Sequence, residues 1–201
     1  MSIPFGYLFG AAWMLWLAYW GISAIGVKPA ARVESNLSRF GKYTLPIIVA
    51  VLLLWGSQWF HGTFAGERFV PAVLNERFVP AVLWIVWLGF FLTLAGLALA
   101  CWARVILGRN WSGVVQIKQD HELIVRGPYS FVRHPIYTGL LLAFFGSSLA
   151  IGEWRALLGM AIIGISFWRK LRLEERWLCE LFGNQYRDYM TRVKALIPWV
   201  L

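Results

Sequence analysis

Apolar runs alternate with short polar ones along this chain, and the alternation sets its predicted elements. From Phe5 to Ile25 the residues are apolar with small ones between, enough at ~1.5 Å per residue for one helical crossing of a bilayer. A second apolar run begins near Pro46 and reaches Phe60. A third covers Ala81 to Ala103, where Gly89 and Gly96 allow another helix to approach closely. The fourth runs from Pro135 to Ile151, and Gly152-Glu153-Trp154 makes a tight reversal into a fifth, ending near Trp168. This last helix is expected to continue into water through Arg169, Lys170, Arg172, Glu174 and Glu175 to Phe182, with Gly183 as its stop. An amphipathic tail from Tyr186 to Leu201 follows. The pattern predicts an all-α integral membrane protein with five transmembrane helices. Three lie in residues 1–103. Residues 104–201 hold a polar segment, a helical hairpin and amphipathic C-terminal helices. The hairpin helices are short, so this pair is expected to sit shallowly or to thin the bilayer locally.

Composition agrees with that plan. Of 201 residues, 59% are hydrophobic and 14% charged, and the mean hydropathy of +0.61 is too high for a soluble domain of this size. Thirteen tryptophans suit a boundary between hydrocarbon and headgroups. Among them Trp13, Trp16 and Trp20, spaced at three and four, form a lipid or helix-packing stripe. The net charge of +9 does not point to nucleic acid, because the basic residues cluster between apolar runs and are expected to contact membrane lipids. Loops 28–42, 104–133 and 169–194 hold 16 of the 19 Lys and Arg, leaving Arg68, Arg77 and Arg155 on the other side. By the positive-inside rule the N-terminus is expected outside and the C-terminus in the cytosol. No basic residue precedes the first apolar run, so that run reads as an anchor rather than a cleaved signal. Cys101 and Cys179 have no spacing suited to a disulfide or a metal site, and no metal is expected.

Two stretches stand apart. Glu67-Arg-Phe-Val-Pro-Ala-Val-Leu74 recurs as Glu76-Arg-Phe-Val-Pro-Ala-Val-Leu83; two proline-interrupted copies are too few for a solenoid and read as a local duplication in an interfacial connection. The other is the polar run from His121 to Gly139, which ends in Arg133-His134-Pro135 just as the fourth helix begins. Proline is at home in a first helical turn, and the unpaired N–H groups there can receive a carboxylate or phosphate. Because the fourth and fifth helices form a hairpin, this cationic start should lie beside the acids Glu174 and Glu175 at the fifth helix's exit. A zwitterionic amino-acid moiety matches such a cleft, and neighbouring aromatic rings suit a cation or an adenine.

The series Gln116, His121-x-Leu-x-Val-x-Gly127-x-Tyr129, Arg133-His134-Pro135-x-Tyr137-x-Gly139, Glu174-Glu175 and Phe182-Gly183-x-x-Tyr186-x-x-Tyr189 resembles the isoprenylcysteine carboxyl methyltransferase family, over roughly the last half of the chain. Phospholipid N-methyltransferases share its histidine-proline and paired-acid elements. The resemblance implies methyl transfer from S-adenosyl-L-methionine, held in a cytosolic C-terminal cofactor pocket, to a lipophilic or lipidated substrate arriving through the bilayer. It implies that Gln116, His121, Glu122, Leu123, Ile124, Tyr129, His134, Pro135, Ile136, Tyr137 and Glu174 line the cofactor pocket. Where the family places an arginine ahead of its acids to meet the substrate carboxylate, Lys170 stands nearest, flanked by Arg169 and Arg172, and a lysine cannot reproduce the two-pronged guanidinium contact. A carboxylate acceptor needs no base. An amine acceptor would need one, with Glu175 or His134 as candidates. Two further readings stay open: a non-catalytic membrane binding protein on the same fold, and, by fold analogy alone, a nicotinamide-dependent reductase. Tyr186 and Tyr189 are expected to pack the tail rather than act chemically.

Overall fold

The computed structural model describes residues 5–27, 30–59, 71–111, 116–118 and 122–200. Helix α1 (Phe5–Ser23) is followed by strand β1 (Ala30–Val33), then a short helix α2 (Asn36–Arg39) that runs through a widened turn at Phe40–Thr44 into α3 (Leu45–Trp59). Helix α4 (Leu83–Leu107), strand β2 (Gln116–Lys118), α5 (Pro135–Ile151), α6 (Trp154–Phe182) and α7 (Asn184–Arg192) complete the order. The helices thus begin and end close to where hydrophobic patterning puts them. Gly152, in the left-handed region at φ 69°, turns α5 into α6, and Gly183 at φ 56° ends α6.

Two findings change the expected picture. Among the described residues the helices are joined by one antiparallel strand pair, β1 with β2, in which Val33 stands opposite Gln116 and Arg32 opposite Ile117. The β-branched run at 114–117 favours extended backbone, but its partner strand lies far earlier in the sequence, so no local pattern announces the pairing. The second concerns span length. Among the described residues, α1 and the α4 run through Asn110 are long and apolar enough to cross a membrane. Helices α3 and α5, at 15 and 17 residues, extend about 22 and 26 Å against a ~30 Å hydrocarbon layer. Length and composition therefore qualify two of the five expected spans.

The backbones of α4 and α5 touch through glycine. A Cβ on Gly96 would lie 2.4 Å from the Gly139 carbonyl oxygen, and one on Gly139 would lie 2.5 Å from that of Gly96; Gly89 and Gly146 meet in the same way about two helical turns further along. Between these contacts Thr93 Oγ1 donates to the Ala143 carbonyl at 3.2 Å and stands 3.2 Å from Ser147 Oγ, which also accepts from Trp13 Nε1 at 3.2 Å. This ties α1 to the α4–α5 pair. The tryptophan stripe packs as expected, with Trp13 against Phe144 at 4.7 Å and Trp16 stacked on Trp20 at 4.7 Å. On the other side Gly159 of α6 lies against the Ala50 carbonyl of α3, and Arg155 donates to the carbonyls of Leu53 and Leu54.

The second copy of the duplicated octapeptide packs on the Gly152 reversal. Phe78 N–H donates to the Gly152 carbonyl at 2.9 Å, Trp154 N–H to the Glu76 carbonyl at 3.2 Å, and the Phe78 and Trp154 rings lie 5.5 Å apart. Residues 67–70, half of the first copy, lie outside the described residues, and its other half enters a short 3-10 turn at Ala72–Asn75. This reversal and Arg155 occupy the opposite end of the hairpin from His134, and that separation positions the site.

Candidate active site

His134 is the residue before α5, with Pro135 in the first turn, and its carbonyl accepts the first intrahelical bond from Thr138 N–H at 3.0 Å. The N–H groups of Ile136 and Tyr137 precede that first bond, so the helix itself offers them no acceptor. Across from this start, Glu174 and Glu175 sit on α6. Neighbours on a helix point about 100° apart, so the two acids cannot share a direction, and they meet the imidazole from different sides. Nε2 of His134 lies 3.2 Å from Glu175 Oε1, and Nδ1 lies 3.7 Å from Glu174 Oε2. The two carboxylates also differ in exposure: the Glu174 side chain is 23% exposed and that of Glu175 only 6%. Glu174 keeps some exposure, whereas Glu175 is sealed in protein.

What seals Glu175 is Arg133. Its Nε and Nη2 donate to Glu175 Oε1 at 2.8 and 2.6 Å. Burial works to raise the Glu175 carboxyl's pKa, but the hydrogen bond and charge of His134, with those of Arg133, outweigh it and hold the carboxyl below its ordinary value. Arg133 Nη1 continues to the carbonyls of Met190, at 3.3 Å, and Val193. The residues after α7 close over the same turn, where Arg133 N–H donates to the Lys194 carbonyl at 2.8 Å, His134 N–H to Ala195 at 3.0 Å and Thr138 Oγ1 to Leu196 at 2.8 Å. Tyr189 Oη reaches back to the Tyr129 carbonyl. Tyr186 and Tyr189 are buried packing residues, as their spacing suggests.

Glu174 has its own partner set. Tyr137 Oη donates to Glu174 Oε1 at 2.7 Å, and the Tyr137 ring stacks on His134 at 5.6 Å and tilts against Phe167 at 5.0 Å. Lys170, one turn before Glu174, holds Nζ 5.5 Å from the centre of the Tyr137 ring. Burial lowers its pKa, against the raising pull of Glu174 and Glu34.

Glu34 and Tyr43, ahead of α3, were not anticipated. Both are buried, and Tyr43 Oη donates to Glu34 Oε1 at 3.5 Å. Burial, then the charge and hydrogen bond of Glu34, push the Tyr43 hydroxyl up to about 12, with Glu174 adding to the effect. Electrostatically this pair belongs to the Lys170–Glu174 face. The one hint in sequence is that Glu34 is the single acid in a basic loop.

Of the residues the resemblance implies, His134, Pro135, Tyr137, Glu174, Glu175 and Lys170 come together around the start of α5, with Ile136 beside them. Tyr129 is buried, its hydroxyl donating to the Ala103 carbonyl at 3.4 Å, and its pKa is raised by burial first and then by the charge of Glu174. Leu123 and Ile124 are half-buried and Glu122 is exposed on the segment leading to Tyr129. Gln116 contributes backbone to β2, its side chain being outside the described residues, as is the whole of His121.

An imidazole bridging two acids at a helix start, beside apolar helices, defines a site for a polar ligand at the edge of a lipophilic body. The model of the phospholipid methyltransferase family matches residues 84–185, just over half the chain and the part that carries this site. The chain belongs to that family of methyltransferases. It is 28% identical over 183 residues to protein-S-isoprenylcysteine O-methyltransferase B of Arabidopsis thaliana, an alignment that covers 89% of this chain and 85% of that protein. It is also similar to methanethiol S-methyltransferase 1 of Bradyrhizobium diazoefficiens, 45% identical over 71 residues, and to protein-S-isoprenylcysteine O-methyltransferase of Schizosaccharomyces pombe, 31% identical over 101 residues. Those two alignments cover 35% and 49% of this chain, and only 24% and 43% of the relatives' lengths.

Proposed function

We propose that this chain is a membrane-embedded methyltransferase that uses S-adenosyl-L-methionine to methylate a carboxylate on an isoprenylcysteine-like or other lipophilic thioether. The observation that carries the reading is the half-open Glu174 carboxylate, held by Tyr137 beside the Nδ1 face of His134. The donor set fits the cofactor's chemistry. Glu174 Oε2 and His134 Nδ1 suit an ammonium, the first-turn N–H groups of α5 suit a carboxylate, and the tyrosine face suits a positive sulfur or a purine. The donor supplies an electrophilic methyl group on a sulfonium. The protein's share is to orient and to exclude water: Tyr137 and Glu174 fix one wall, the residues after α7 close another, and Lys170 presents a cation toward the acceptor side. A carboxylate acceptor attacks without losing a proton, so no side chain has to act as base, and Glu175 keeps to holding His134.

The same reading has the protein multi-pass, with five membrane helices, the N-terminus outside and the site in the cytosol. The charge bias of the loops supports this, and the large exposed apolar side chains of α1, α3 and α4 suit lipid contact. The short α3 and α5 then thin the bilayer next to the site, where a lipophilic acceptor would arrive.

One observation favours a second reading, N-methylation of a phospholipid headgroup: the matched family model is described by phospholipid methylation. Detergent-solubilised protein with a methyl-labelled donor, offered a farnesylcysteine derivative, phosphatidylethanolamine or a small thiol, decides between them. Methyl esters release volatile methanol in mild base. Methylamines and thioethers do not. Label made volatile only from the prenylcysteine reaction supports the first reading, and base-stable label in the phospholipid supports the second. Binding of S-adenosylhomocysteine with no label transferred to any acceptor would favour a binding protein instead.

A further inference from the structure

The ring of His134 is held by one nitrogen and offered by the other. Glu175 Oε1 receives two N–H groups from Arg133 and lies 3.2 Å from Nε2. An ionised carboxylate oxygen only accepts, so the proton of that contact resides on Nε2. On the opposite edge Nδ1 is 3.7 Å from Glu174 Oε2, too long for a hydrogen bond, while the other oxygen of Glu174 is taken by Tyr137. The charges facing the ring are already matched: Glu175 against the Arg133 guanidinium, and Glu174 against Lys170 nearby.

We infer that Arg133 and Glu175 are positioning residues that hold a proton on Nε2 of His134 and so fix the ring with its Nδ1 edge toward the ligand. The brace extends beyond the pair. Arg133 is anchored to the Met190 and Val193 carbonyls, and the backbone on either side of the His134 peptide is pinned to Lys194 and Ala195. Rotating the ring would break its Nε2 contact with Glu175 on α6, while the bonds to the residues at and after the end of α7 hold Arg133 and the His134 backbone in place. The Nδ1 edge and Glu174 Oε2, 3.7 Å apart, flank a place for a polar group of the ligand, with the Glu174 carboxylate its anionic side. This last consequence rests on the proposed donor; the proton on Nε2 does not.

The chain has three histidines, so protein labelled with nitrogen-15 histidine gives few enough imidazole signals to assign His134 by its loss in His134→Asn. In detergent at neutral pH, the expected spectrum shows a proton on Nε2; an Nε2 without a proton overturns the inference. Glu175→Gln, whose amide can present either an acceptor or a donor to the ring, is expected to lose the fixed proton on Nε2 and to bind S-adenosylhomocysteine on the order of tenfold more weakly, the equivalent of one hydrogen bond to a charged group. Weaker binding with the Nε2 proton unchanged would refute the positioning role. If that variant does not fold, the wild-type spectrum still decides. Wild-type protein with the proton on Nε2 but no affinity for S-adenosylhomocysteine would uphold the inference while removing the proposed donor.

Discussion

Tyr137 Oη donates to Glu174 Oε1 at 2.7 Å, joining two residues 37 positions apart on the facing helices α5 and α6. The bond turns the half-exposed carboxylate toward His134, and it tests the proposed pocket directly. Tyr137→Phe keeps the stacking on His134 and Phe167 but frees Glu174, and should weaken S-adenosylhomocysteine binding roughly fivefold to tenfold. Glu174→Gln, which removes the charge itself, should cost more. Titration calorimetry on both variants checks the order, and affinities equal to wild type would remove Glu174 from the cofactor pocket.

Lys170 and the Glu34–Tyr43 pair face the other side of Glu174. In Lys170→Met the KM for a lipophilic carboxylate acceptor should rise several-fold while S-adenosylhomocysteine affinity stays near wild type, because the proposed role is to meet the acceptor. Glu34→Gln, by removing a charge that acts on Lys170, should move the same KM by less. If both variants leave KM unchanged, the acceptor cation lies elsewhere, with Arg169 and Arg172 the next to test.

Acid should unlock the site through Glu175. Its carboxyl pKa is depressed in the folded protein, so its ionised form contributes stability that is complete above the unfolded value of ~4.3 and is lost as pH falls through the native value. Melting temperature measured between neutral pH and about pH 3 should therefore drop more steeply for the wild type than for Glu175→Gln, which has no proton to take up. Parallel curves would show that the Arg133–Glu175 pair contributes nothing pH-dependent to stability.

The glycine contacts between α4 and α5 predict a contrast in stability. A methyl at Gly139 would meet the Gly96 carbonyl at 2.5 Å and Ala100 N at 2.7 Å, all backbone, so Gly139→Ala must push the helices apart at about 1–3 kcal/mol. Because His134 starts the same helix, S-adenosylhomocysteine affinity should fall as well. Gly10→Ala, on α1 with nothing within 4 Å of the added carbon, should be neutral or stabilise by up to ~1 kcal/mol through helix propensity. Thermal unfolding of the two variants in one detergent gives the comparison.

Local pattern made much of this protein legible. The helix bounds follow from apolar runs ending at Gly152 and Gly183, since a glycine in the left-handed region stops a helix wherever it falls. The neighbourhood of His134 with Glu174 and Glu175 follows from the hairpin between them, because a short reversal forces the start of one helix to lie beside the end of the next. Two features were settled only in three dimensions. The β1–β2 pair and the place of Glu34 and Tyr43 depend on contacts across most of the chain, and a sequence read locally carries no register for these. The difference between Glu174 and Glu175 arises because adjacent residues on a helix face different ways: one meets Tyr137 and keeps some exposure, and the other turns into Arg133. Sequence placed both acids beside His134, and the packing of α5, α6 and the residues after α7 decided which one is sealed.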